Sequence, residues 1–189
     1  MKWLLLGLTV FLASCASVSK IGPGDVAVNE KMVARLGSAW NRIDVPGKGK
    51  IEMWTADGLP LDSLMFYPAI GDGEVLVEMQ GRKAKQQPRF HATMQPIEIV
   101  ELFDAVIAGE GSNFKLDKLS PVTFAGGNGF RFDFSILRKG DEVELGGAGY
   151  GVVKLGKLYL MVFRAPKIHY FGKHIGNVES IASSIQIHN

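Results

Sequence analysis

Apolar and polar residues alternate most regularly between Phe130 and Arg164. The first part has the period of two that is typical of a strand with one buried face, at Phe130, Phe132, Phe134 and Ile136. Turns are predicted at Lys139-Gly140-Asp141 and Leu155-Gly156-Lys157. The last part, from Leu158 to Phe163, is apolar on both faces, which indicates a strand inside a sheet that is covered on both sides. The stretch therefore predicts three antiparallel strands joined by two tight turns.

Glycine is concentrated in the middle strand of this meander. Four of the residues between Glu144 and Val152 are glycines with short spacing, namely Gly146, Gly147, Gly149 and Gly151. Glycine weakens a strand unless a bulge or a large neighbouring side chain needs the space. The sequence predicts one of these two features and does not decide between them.

The remaining pattern predicts shorter strands and two helices. The predicted strands are 26–36, 51–56, 64–70 and 121–124. One helix should begin near Pro96, with a buried stripe formed by Ile99, Leu102, Phe103, Val106 and Ile107. The other should run from about His169 to Ser184, with Phe171, Ile175, Val178, Ala182 and Ile185 on one face. The predicted fold class is α+β, an α/β sandwich in which an antiparallel sheet of about six or seven strands packs against two main helices. Residues 26–189 are expected to form a single domain.

Composition narrows the possible functions. Apolar residues make up 47% and charged residues 21% of the 189 residues, as in an ordinary globular domain. The formal net charge of +2 argues against a nucleic-acid-binding protein, which normally has a strong basic excess. The single cysteine excludes an internal disulfide and any metal site with several cysteines.

The amino terminus has the pattern of an export signal. Lys2 is followed by an apolar run from Trp3 to Leu12, which is too short to span a bilayer. The run ends in Leu12-Ala13-Ser14-Cys15, which resembles a bacterial lipobox. That resemblance implies that residues 1–14 are a lipoprotein signal peptide and that Cys15 carries the lipid, including palmitate. An ordinary secretory peptide with a chance cysteine is the alternative. Residues 15–25 are expected to be the lipidated cysteine and a flexible tether.

The residue after Cys15 indicates in which membrane of the envelope the protein is expected to be anchored. Ala16 is not the aspartate that holds many lipoproteins in the inner membrane. By resemblance to enterobacterial sorting, we expect a periplasmic domain anchored in the envelope, at the outer membrane facing the periplasm.

Motifs for catalysis or cofactors are incomplete. The segment from Gly151 to Lys157 matches the phosphate loop G-x-x-x-x-G-K, but Leu158 follows where a hydroxyl should hold magnesium, and the segment joins two strands. His169 and His174 are five residues apart, so on a helix their side chains point in directions too different to bind one metal ion. No Gly-x-Ser-x-Gly sequence occurs. We therefore expect no nucleotide, no metal, no cofactor and no enzymatic activity; a cleft where three or more polar side chains converge would favour an enzyme.

Aromatic residues in the early strands are the remaining candidates. Trp40, Trp54 and Tyr67 could line a cleft for an apolar ligand or a partner, although tryptophan usually packs in the core. An enclosed pocket between Trp54 and Phe66 would indicate a carrier of a lipid or fatty acid.

The order of elements resembles the PsbP-like superfamily between Met32 and Ile187. The resemblance depends on three segments, which are Gly129-Phe130-Arg131-Phe132, Lys157-Leu158-Tyr159-Leu160 and Ser183-Ser184-Ile185. It implies a non-enzymatic accessory or scaffold domain, here a lipoprotein that supports an envelope assembly through a protein partner. An envelope carrier of a small apolar ligand is the alternative function.

Overall fold

The structure is a computed structural model that describes residues 17–44, 50–78 and 87–188. It contains two helices, α1 (Pro96–Gly109) and α2 (Tyr170–Ser184). The first six strands are β1 (Ser17–Ile21), β2 (Gly24–Val28), β3 (Met32–Leu36), β4 (Trp40–Asp44), β5 (Glu52–Thr55) and β6 (Ser63–Ile70). The other five are β7 (Asn113–Phe124), β8 (Gly127–Leu137), β9 (Glu144–Lys154), β10 (Lys157–Pro166) and β11 (Gln186–Ile187).

Eight strands form one antiparallel sheet in the order β1-β4-β5-β6-β10-β9-β8-β7. A second sheet has three strands, in the order β11-β3-β2. The α+β class and the two helices are confirmed, but the estimate of six or seven strands is corrected to eight in the main sheet. The predicted single strand 26–36 is also two strands, because Asn29 and Glu30 adopt positive φ values of 44° and 55° in a reversing turn.

The two faces of the main sheet carry separate cores. α1 covers one face, and Phe103 lies fully buried there against Phe132 and Phe134. α2 and the small sheet cover the other face, where Val178 and Ile181 are fully buried. Strand β10 lies between β6 and β9 and contributes to both cores, so its two-sided apolar pattern is explained.

Phenylalanine and glycine face each other across β8 and β9. The register pairs Phe130 with Gly151, Phe132 with Gly149 and Phe134 with Gly147, without a shift. A Cβ atom added at Gly149 would lie 2.1 Å from ring atoms of Phe132, and one at Gly147 would lie 2.1 Å from Phe134. The glycines therefore make room for large neighbours, and the alternative of a bulge in β9 is wrong.

The predicted tether differs most from the structure. Cys15 lies outside the described residues, but Ser17–Ile21 is strand β1, paired with β4 from Ser17↔Asp44 to Ile21↔Trp40. The expectation of a flexible tether is therefore corrected from Ser17 onward. The backbone of this segment pairs with β4, and local composition does not predict pairing with a distant strand. No helix among the described residues is long and apolar enough to cross a membrane.

The strand register defines two ends of the main sheet. β1 begins on the side of the sheet toward the β9–β10 turn at Leu155-Gly156, although the register sets Ser17 itself level with Met161 in the middle of β10; we call the end with this turn the Ser17 end. At the other end β6 begins at Ser63, opposite Arg164, and β10 finishes at Pro166. We call this the Pro166 end.

Candidate functional site

A cleft of about 340 Å³ opens at the Pro166 end, below the last turn of α1. Its apolar wall consists of Met53, Leu59, Pro60, Ile136 and Leu145. The wall combines side chains from β5, the β5–β6 loop, β8 and β9, which are distant in the sequence. The cleft is therefore a product of strand order.

Two arginines form the polar side of the cleft. Arg164 extends from the end of β10 and donates to Glu110 at 3.0 Å and to the Ser63 hydroxyl at 3.4 Å. Arg138 follows β8 and is held by Asp141 through two hydrogen bonds, which raise the pKa of its guanidinium. Each guanidinium therefore has a carboxylate partner at the edge of the cleft.

The polar groups of the cleft do not form a nucleophile and base pair. Six polar side chains line it, which are Asp62, Ser63, Glu110, Ser112, Arg138 and Arg164. The Ser112 hydroxyl accepts from the Lys139 amide at 3.2 Å, and the Ser63 hydroxyl accepts from Arg164. Among the described residues, neither serine has a histidine or carboxylate within hydrogen-bond distance, as activation of a hydroxyl requires. The cleft meets the count of polar side chains that would favour an enzyme, but the described residues place no base beside either serine.

Asp62 stabilises the loop beside the cleft. Its carboxylate is 2% exposed and accepts from the Thr55 hydroxyl at 3.0 Å and from the amides of Ala56 and Asp57 at 2.7 Å. The Thr55 hydroxyl in turn accepts from the amide of Gly58 at 2.9 Å. Asp62 therefore organises the loop that carries Leu59 and Pro60.

Asp57 connects the same loop to α2. It accepts from the Lys173 ammonium at 2.7 Å and lies 2.6 Å from Nε2 of His174, and these two hydrogen bonds lower the pKa of its carboxyl. Asp57, Asp62 and His174 are the one group of candidate metal ligands among residues 17–44, 50–78 and 87–188. A metal does not fit, because protein donors already engage both carboxylates and a lysine ammonium occupies the position of a cation.

Replacing Asp57 with asparagine is expected to lower the free energy of unfolding by about 1 kcal/mol at pH 7. The folded carboxyl has a pKa below the unfolded value of about 3.9, so its contribution is complete above that pH and disappears as pH falls through the folded pKa. Urea unfolding from pH 7 to pH 2.5 should show the gap between wild type and variant closing below about pH 4. A gap that stays constant over this range would contradict the assignment.

The three aromatic candidates do not form a common cleft. Trp40 and Trp54 are buried on the α2 face of the main sheet, whereas Tyr67 is buried on the α1 face. Phe66 and Tyr67 are adjacent in β6, so their side chains point to opposite faces of the sheet. Burial raises the pKa of the Tyr67 hydroxyl above its usual range. The rings of Trp54 and Phe66 lie 4.6 Å apart and are fully buried. They fill the space that a ligand pocket between them would need, so all three aromatics are core residues.

Exposed apolar residues surround the Pro166 end instead. Leu59 is 50% exposed, Leu137 is 47% exposed and Ile168 is 95% exposed. We call these three residues the apolar rim. They are hard to recognise from the sequence, because Leu59 lies in the β5–β6 loop, Leu137 is the last residue of β8 and Ile168 lies in the short link between β10 and α2. The one available signal is Ile168, an isolated aliphatic residue between Lys167 and His169.

Comparison with known proteins establishes the fold. No family model matches the chain, and a search of curated proteins finds no match. The solution structure of cyanobacterial PsbP (CyanoP) from Synechocystis sp. PCC 6803 matches with a TM-score of 0.59 and 14% identity, over 97% of this chain and 99% of that chain. LpqN of Mycobacterium tuberculosis, described as involved in cell envelope biogenesis, matches with a TM-score of 0.38 and 8% identity, over 94% of this chain and 88% of that chain. At these identities the likeness concerns architecture alone, and the chain has a PsbP-like fold.

Proposed function

We propose that this protein is a non-enzymatic accessory lipoprotein of the bacterial envelope, anchored through Cys15 and engaging a protein partner at the Pro166 end. The exposed aliphatic residues at the Pro166 end, of which Leu59 lines the arginine-lined cleft, are the observation that carries the proposal. Exposed aliphatic side chains together with half-buried arginines are typical of a protein interface. A PsbP-like fold is consistent with an accessory domain of this kind.

A carrier of an apolar ligand and an enzyme are both less well supported than a partner-binding protein. A carrier of an apolar ligand needs an enclosed apolar pocket, and Trp54 packs directly on Phe66 where we expected one. An enzyme needs an activated group in the cleft, whereas the serines, arginines and carboxylates there are engaged with one another. The partner-binding function requires neither feature.

The anchor is tested by metabolic labelling of cells with palmitate. We expect wild-type protein to take up label and to sediment with outer membranes, whereas the Cys15→Ser variant should take up none. Equal labelling of the two proteins, or sedimentation with inner membranes, would refute the anchor or its location. This measurement does not depend on any partner.

The partner surface is tested by placing a photocrosslinking amino acid at single positions of the full chain in cells. Leu59 and Leu137 should crosslink to one and the same envelope protein. Glu101, on the exposed face of α1, is the control and should not crosslink to it. The proposal fails if the lipidated protein crosslinks to nothing from either rim position, or equally well from Glu101.

A further inference from the structure

The β9–β10 turn at the Ser17 end has two features that the fold does not require. Leu155 is 78% exposed, and it adopts a φ of 51° followed by 71° at Gly156. Positive φ at both central residues is the type I′ turn, in which asparagine or glycine is normal at the first position and leucine is strained. The positive φ costs free energy, and a side chain that stays 78% exposed gains little from burial in return, so the leucine points to a role outside the fold.

Two lysines flank this leucine. Lys154 and Lys157 are directly opposite each other in the β9–β10 register, and Lys157 is exposed. Within the described part of the chain, neither ammonium lies within ion-pair distance of a carboxylate; Lys157 acts on Glu74 only at longer range, helping to lower the pKa of that carboxyl. An aliphatic tip between two cationic groups has the chemistry of a segment that contacts anionic phospholipid.

The position of the proposed anchor places Ser17, at the start of β1, close to a bilayer. β1 begins at Ser17, so only Ala16 separates the paired backbone from Cys15. Two residues span at most about 7 Å, which leaves little room for the domain to stand away from the membrane. Ser17 must therefore lie close to the surface to which Cys15 is attached, and β1 runs from there away from the end of the sheet that carries the β9–β10 turn.

Polar contacts occur both at the start of β1 and near the β9–β10 turn. Ser17 bonds Asp44 at 3.5 Å at the start of β1, and Lys50 bonds Glu74 at 2.8 Å further along this end. The positive charge of Lys157 in turn helps to lower the pKa of the Glu74 carboxyl. The two segments thus lie toward the same end of the sheet, although four strands separate β1 from β9 and the register places Ser17 level with Met161, six residues along the chain from Leu155.

We propose that the Lys154-Leu155-Gly156-Lys157 turn is a second membrane contact, in which Leu155 enters an anionic bilayer and the two lysines bind lipid phosphates. This inference rests on the proposed lipid anchor. Two separated contacts fix the orientation of the domain, with the Ser17 end on the membrane and the Pro166 end directed away from it. The cleft and its apolar rim would then face the periplasm, where a partner can reach them.

Depth-dependent fluorescence quenching tests the proposal on the lipidated full chain. Leu155→Cys and Ile168→Cys are each labelled with bimane, because lipidation of Cys15 leaves the introduced thiol as the only one. Ile168 is the matched control, since it is 95% exposed and adjacent to Lys167 but lies at the Pro166 end. In vesicles of phosphatidylethanolamine and phosphatidylglycerol containing brominated lipid, we expect quenching at position 155 at least threefold stronger than at position 168.

Two further variants distinguish the contribution of these side chains to membrane contact from their contribution to stability. Changing Lys154→Gln and Lys157→Gln in the Leu155→Cys protein should reduce its quenching and remove its dependence on the phosphatidylglycerol fraction. Leu155→Asn places a favoured residue in the type I′ turn, so its thermal midpoint should equal or exceed that of wild type. When the bimane label is attached at Gly156→Cys instead, it should be quenched less in the Leu155→Asn protein than in the protein with the native leucine.

The outcomes distinguish the two proposals. If the protein floats with the vesicles and position 155 is quenched no more than position 168, the turn does not contact the bilayer, although the anchor stands. If the protein does not float and the Cys15 thiol itself reacts with bimane, the anchor is refuted and the membrane contact of the turn is refuted with it. Quenching at position 155 that is independent of anionic lipid would overturn the role given to the lysines.

Discussion

Replacing Gly149 with alanine is expected to lower the free energy of unfolding by about 3 kcal/mol. The added Cβ atom would lie 2.1 Å from Cε1 and Cζ of Phe132, far inside van der Waals contact. Phe132 cannot retreat easily, because it is fully buried, with Phe103 at 5.8 Å and Phe134 at 5.5 Å between ring centroids. Either the ring leaves its position or β8 and β9 separate, and both outcomes disturb the centre of the meander.

Urea unfolding of three variants isolates this steric cause. Gly176→Ala is the matched control, since no atom lies within 4 Å of its added Cβ on the exposed side of α2, and it should stabilise the protein by about 0.5–1 kcal/mol. Gly149→Ala combined with Phe132→Leu should recover part of the loss, because the smaller side chain can make room. A loss below about 1 kcal/mol for Gly149→Ala alone, or no recovery in the double variant, would show that the ring contact is not what requires glycine.

Replacing Asp62 with alanine is expected to cost about 3 kcal/mol as well. The substitution leaves the amides of Ala56 and Asp57 and the hydroxyl of Thr55 without their acceptor in a place where Asp62 is 2% exposed. Unsatisfied buried donors are costly because water cannot replace the lost partner. The β5–β6 loop, including Leu59 of the apolar rim, should lose its fixed conformation.

Two measurements check this expectation. Chemical unfolding should give the loss in stability, and hydrogen exchange should show faster exchange at the Ala56 and Asp57 amides. Asp62→Asn should fall between wild type and Asp62→Ala, because its amide oxygen restores one acceptor. Asp25→Ala is the control, since Asp25 forms an exposed ion pair with Arg35 and should change stability little. Unchanged exchange at both amides in Asp62→Ala would contradict the role of this carboxylate.

The regular patterns in the sequence predicted the central architecture well. Alternation from Phe130 to Ile136 and the two-sided run from Leu158 to Phe163 correspond to β8 and β10, and α1 begins at the predicted Pro96. These elements are predictable because burial on one or two faces imposes a period that needs only local sequence to detect. The PsbP-like resemblance drawn from the same elements agrees with the fold comparison.

The edges of the fold were predicted poorly, for a physical reason. β1 is exposed along most of its length and is held by backbone pairing to β4, so its sequence carries no burial pattern. β7 begins at Asn113, well before the predicted 121, because its early side chains alternate between partial burial and exposure rather than between core and solvent. Edge strands satisfy their hydrogen bonds through a neighbour, and local sequence does not name that neighbour.

The sequence by itself determined the antiparallel meander and the two amphipathic helices. It left open whether the glycines of β9 served a bulge or large neighbours, and the lipid anchor at Cys15 stays a prediction. The tertiary structure alone decided that Trp40, Trp54 and Tyr67 are core residues, since only strand order shows which face each one occupies. It also brought Arg138 and Arg164 to one cleft, and it placed Ser17 and Leu155 toward the other end of the sheet. Side-chain periodicity is encoded locally, whereas the meeting of distant residues depends on register between strands that are far apart in the chain.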